Sequence, residues 1–168
     1  MAAGTIVAGL AIPSSAPPFL MTVAIHVGFG LTCVVAGAVA MLSPKRAGRH
    51  PLWGTVYFWS LAGLALTAAG LAVVRWAEDW NLFVLDLAAF GAALAGWVAR
   101  RRQPPNWARV HAVGMGMSYI MMLTAFYVDN GKSLPLWRAL PAFAYWLGPG
   151  AIGIPILLAT LRRHPLLR

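Results

Sequence analysis

Five long apolar runs, separated by short clusters of charge, proline and glycine, limit what this chain can fold into. They lie at about residues 19–42, 52–74, 81–99, 106–128 and 141–161. The hydrocarbon core of a bilayer is about 30 Å thick, and a helix of about 20 residues crosses it. Each run has that length. Of the 168 residues, 60% are hydrophobic and 10% charged, against about 25% charged in soluble domains. A soluble domain of this size leaves much of its surface exposed and has nowhere to put so much apolar side chain. The expected fold is therefore an all-α integral membrane bundle of five transmembrane helices, one domain over residues 19–168.

Residues 1–18 form an apolar, then Pro-rich arm, from Ala2 to Ile12 and on through Pro13, Ser14, Ser15, Ala16, Pro17 and Pro18. It is too short to span and lacks the basic start of a secretory signal. It is expected to lie at the interface or outside.

The charges set an expected direction. The first loop (Lys45, Arg46, Arg49), the third (Arg100, Arg101, Arg102, with Arg109) and the C-terminus (Arg162, Arg163, Arg168) hold ten of the thirteen basic residues. Glu78, Asp79 and Asp129 lie on the other side. Basic loops stay cytoplasmic, which puts the N-terminus outside and the C-terminus in the cytoplasm. Trp53, Trp76, Trp80, Trp107 and Trp137 all fall at the expected interfaces, where amphipathic rings belong. The formal charge of +9 is accounted for by this orientation rather than by nucleic acid, for which a basic face with interleaved aromatics is lacking. The arginine-rich loops can also hold anionic lipid head groups.

Ionisable residues inside a span are functional candidates, because their desolvation must be compensated. Asp86 is the only acid inside a span. It and His26 each lie ~10 Å from the outer end of their helices, at 1.5 Å per residue. A His–Asp pair there would accept a proton or support a bound cofactor, or simply fix the helix packing. His111, Met115 and Tyr119 share one face of the fourth helix, and His50, which precedes the second helix, shares a face with Gly54 and Tyr57. His50 and His111 both lie toward the cytoplasm and can approach each other, as the ligands of a haem or part of a quinone site. Alternatively they are polar interfacial residues. His26 and His111 differ in level by roughly 12 Å, so they cannot share one iron; Met121 and Met122 are closer in depth to His26. His/Met ligation of haem is known, but the run Gly114–Met122 is also what adaptable packing looks like, and packing is the preferred reading.

Cys33 is single and cannot form an intrachain disulfide. No phosphate-binding loop, paired cysteines, nucleophile elbow or metalloprotease motif is present, and no metal site or catalytic residue is assigned. Gly148, Pro149, Gly150, Gly153 and Pro155 are expected to kink the fifth helix. No internal repeat is evident.

Three motifs carry a resemblance: His26 followed by Gly28, Gly30 and Gly37; His50, Gly54 and Tyr57 opening the second helix; and His111, Met115 and Tyr119 opening the fourth. Over about residues 19–130 the chain resembles a group of bacterial membrane proteins, the domain-of-unknown-function family 2306. It departs from that pattern at Pro51, Thr55 and Met117, where the family often carries basic residues. The resemblance implies the helix layout, the choice of histidines and a bacterial inner membrane, but no reaction. The histidine layout also looks like that of small membrane b-type cytochromes, an analogy of fold alone.

The leading expectation is a polar site built from helix-borne histidines, redox or proton-linked, with haem b or quinone. A small transporter using His26 and Asp86 is the alternative. A third is an accessory subunit of a larger membrane complex, its histidines structural; the expected protein partners are such a complex or further copies in a homo-oligomer.

Overall fold

The computed structural model describes residues 5–7, 10–12, 16–45 and 48–163. Half of the expected arm, Arg46 of the first loop, His164 and Arg168 lie outside the described residues. Two three-residue strands, β1 (Thr5–Val7) and β2 (Leu10–Ile12), pair antiparallel, with Ile6 opposite Ala11. Five helices follow: α1 (Pro17–Leu42), α2 (Arg49–Val74), α3 (Trp76–Arg102), α4 (Trp107–Asn130) and α5 (Ala142–Arg163). All five are long and apolar enough to cross a membrane. Their outward faces are apolar too, with Leu31, Leu66, Val73 and Ile152 all well exposed.

The expected boundaries hold to a few residues, with three corrections. Residues 76–80 are helix rather than turn. The turn is Arg75 alone, which ends α2 at φ −129° and ψ 43° and whose carbonyl accepts from Glu78 and Asp79 N–H. Glu78 and Asp79 then occupy the first turn of α3, where carboxylates complement the helix dipole, and Arg75 reaches Asp79 at 3.8 Å. Likewise, His50 does not precede α2 but lies in its first turn. Asp129 and Asn130, expected after the fourth helix, still belong to α4, and a 3-10 turn continues over Gly131–Ser133. α5 runs unbroken through Pro149 and Pro155.

The chain divides into two compact units, residues 1–80 with 132–138, and residues 81–131 with 139–168. In the first, α1 and α2 form an antiparallel hairpin. Cys33, Ala36, Gly37 and Ala40 bury one face of α1 against Tyr57, Phe58, Leu61 and Leu64 of α2. The Phe29 ring occupies the space over Gly63 that a side chain would fill. Cys33 is fully buried, and its thiol points to the Tyr57 carbonyl at 3.9 Å.

In the second unit, α3 buries a stripe of small residues, Ala89, Ala93, Gly96 and Ala99. Small residues let helix backbones touch where no hydrophobic effect drives association. At Gly114 of α4 the approach is closest: a Cβ there would stand 2.5 Å from the Ala92 carbonyl oxygen and 2.8 Å from the Gly96 nitrogen. α5 packs antiparallel on α4. A Cβ at Gly153 would meet the Ile120 side chain, and one at Gly116 would meet Leu157.

Backbone atoms cannot move aside as a side-chain tip can. Gly114→Ala should therefore cost roughly 1–3 kcal/mol as an overpacking substitution and lower the unfolding temperature in detergent. Gly28→Ala, with nothing within 4 Å of the added carbon, should leave that temperature unchanged or raise it. Equal behaviour of the two variants would contradict the α3–α4 contact.

Candidate histidine sites

Each helix-borne histidine is tied to a partner within its own unit. His50 Nδ1 lies 2.8 Å from the Ala40 carbonyl oxygen, and His111 Nδ1 lies 3.1 Å from the Gly96 carbonyl oxygen. A carbonyl only accepts, so both rings carry their proton on Nδ1 and donate it. His26 Nδ1 lies 3.0 Å from Thr67 Oγ1. That hydroxyl spends its one proton on the Gly63 and Leu64 carbonyls, at 3.0 and 2.9 Å. Its oxygen must accept from His26, which makes His26 the same tautomer. In the neutral form of that tautomer the lone pair is on Nε2.

The two carbonyls occupy equivalent places. Ala40 is in the last turn of α1 and Gly96 is two turns from the end of α3, and each faces a histidine near the start of the following helix. No sequence repeat marks this, yet the α1–α2 and α3–α4 hairpins repeat one device. At the first, the surrounding carbonyls are also answered. Lys45 Nζ donates to Ala40 and Met41 carbonyls at 3.1 and 2.6 Å, and Ser43 Oγ donates to Val39 at 2.6 Å. Partial desolvation pushes the Lys45 ammonium below its usual range.

Of the other expected site residues, Tyr57 is buried on α2 and its carbonyl receives the Cys33 thiol. Met115 packs at Gly96, and Tyr119 is half-buried on α4. Met122 is buried in its own unit. Asp86 is half-buried on α3 and makes no hydrogen bond or ion pair among the described residues. The pairings His26 with Asp86, His26 with Met121 or Met122, and His50 with His111 join residues of different units. Among the described residues no three His, Cys, Asp or Glu side chains stand together as a metal site.

The partners themselves, Thr67 and the Ala40 and Gly96 carbonyls, were not picked out from the sequence. Thr67 had a faint signal. It lies about as far from the first loop on α2 as His26 does on α1, so an antiparallel hairpin sets them level. The backbone acceptors have none, because a carbonyl has no residue type.

Thr67→Val removes the acceptor at His26 while keeping the side-chain shape. Nitrogen NMR of ring-labelled protein should show the Nδ1–H tautomer at all three histidines. The Thr67→Val variant should lose that preference at His26 and keep it at His50 and His111. An Nε2–H tautomer at His50 or His111 in the unaltered protein would contradict the geometry.

No protein-family model, curated protein or solved structure matches the chain, so the resemblance to the family of unknown function stands on its motif residues alone.

Proposed function

We propose that the chain is a multi-pass protein of the bacterial cytoplasmic membrane, N-terminus outside and C-terminus inside, whose activity centres on its helix-borne histidines. The activity is redox or proton-linked, with haem b or a quinone as the group served. The observation that carries it is the common anchoring of His26, His50 and His111 through Nδ1. Histidines that ligate metals are oriented in this way, by donating one ring N–H to a carbonyl or other acceptor while the second nitrogen ligates. An imidazole held through one ring nitrogen exchanges protons through the other, which is what a proton-linked role requires. The five long apolar helices support the membrane assignment, and the clustering of arginine at alternate turns supports the orientation.

Haem is the more easily tested of the two groups. Protein purified after expression with haem supplied should show a Soret band, and replacing His50 or His111 with Ala should abolish or shift it. A colourless protein that also fails to bind added haemin would eliminate haem and leave the proton- or quinone-linked form. A haem spectrum unchanged in the His26, His50 and His111 variants would place the iron elsewhere and overturn the histidine site.

A further inference from the structure

The face shared by α3 and α4 carries a groove of about 530 Å³, lined by Ala92 and Ala95 of α3 and by Val110, Val113, Met117 and Met121 of α4, with Arg109 at one end. The groove runs beside the line where Gly96 and Gly114 let the two helices touch. Alanines at 92 and 95 leave open the space that larger side chains would fill. Between Val110 and Met121 the lining is apolar. It offers no hydrogen-bonding side chain to a quinone ring part-way along.

The end of the groove is strongly basic. Arg109 is exposed and makes no hydrogen bond or ion pair among the described residues. Arg100 stacks on Trp107 and Arg101 on Trp97, each with the guanidinium 5.0 Å from the ring centre. Arg102 follows, and the antiparallel packing of α5 on α4 brings Arg162 and Arg163 to the same end. No Asp or Glu occurs anywhere between residues 87 and 128.

We propose that this groove holds one acyl chain of an anionic phospholipid, with the lipid phosphate at Arg109. The assignment rests on the chain being a membrane protein, and it adds a defined ligand site to that account. Length agrees. From Arg109 to Met121 is twelve residues of helix, or ~18 Å, and one leaflet of a ~30 Å core is ~15 Å deep. Charge agrees as well, because a cluster of basic residues at a membrane surface recruits anionic head groups. A second copy is the poorer occupant. Copies inserted the same way round would bring their arginine-rich ends together, like charge against like.

Native mass spectrometry of the protein in mild detergent, incubated with phosphatidylglycerol or phosphatidylcholine, tests this. Phosphatidylglycerol should be retained preferentially. Arg109→Ala should lower its retention about five-fold, the effect of one basic residue near an anionic surface, without changing phosphatidylcholine. Arg109→Lys should keep the preference. Ala95→Leu, at an exposed position, should reduce both lipids by filling the groove. Lys132→Ala, beyond the other end of α4, should change neither. Equal retention of the two lipids by the unaltered protein, no effect of Arg109→Ala, or a lipid-free dimer would overturn the proposal. Protein that never enters vesicles overturns the membrane assignment as well, whereas inserted protein without the lipid preference overturns the groove alone.

Discussion

Hydrocarbon supplies no hydrogen bonds, so a polar group on a membrane helix must be answered by the protein itself. The side chains of this chain follow that constraint closely. Thr22, Thr32, Thr55, Thr67, Thr124 and Thr160 all return their hydroxyl to the carbonyl four residues earlier, and Ser118 bonds to Met115. The histidines obey the same rule with a different result. A threonine can satisfy itself on its own helix, but the His26, His50 and His111 rings reach across to the neighbouring helix. Each therefore both quiets its own N–H and fixes the register of a hairpin.

That dual role ties the packing to the proposed chemistry. The α3–α4 pair comes close because Gly96 and Gly114 lack side chains, and it is only at this distance that His111 reaches the Gly96 carbonyl. Beside that contact, Ala92 and Ala95 of α3 line the groove that ends at Arg109. Small residues on α3 thus serve both features, Gly96 at the contact with His111 and the two alanines along the groove. At the first hairpin Ala40 does related work. Its carbonyl accepts from both His50 and Lys45, which closes the helix end.

The five helices were legible in the sequence because the length of an apolar run maps directly onto the thickness of a bilayer. Boundaries were less so. Trp76 to Trp80 read as a turn because charge interrupts the apolar run, but Glu78 and Asp79 suit a helix N-terminus and the helix takes them in. Pro149 and Pro155 signalled a kink rather than an end, and α5 is continuous through both. The histidines could be picked out as ionisable residues at depth. Their partners could not, since His26 and Thr67 are 41 residues apart and meet only once the register of the hairpin is set. Asp86 stood out for the same reason as His26, yet it has acquired no hydrogen-bond partner among the described residues.

The account depends most directly on the chain crossing a membrane five times in the stated direction. Cysteine accessibility measures this with little background, because the one native thiol, Cys33, is fully buried. Cysteines introduced by Ser133→Cys and by Gln103→Cys would be treated with a membrane-impermeant maleimide in intact spheroplasts and again after the membrane is opened. Position 133 should label in intact spheroplasts, and position 103 only after opening. Labelling of both positions from the same side would contradict the account.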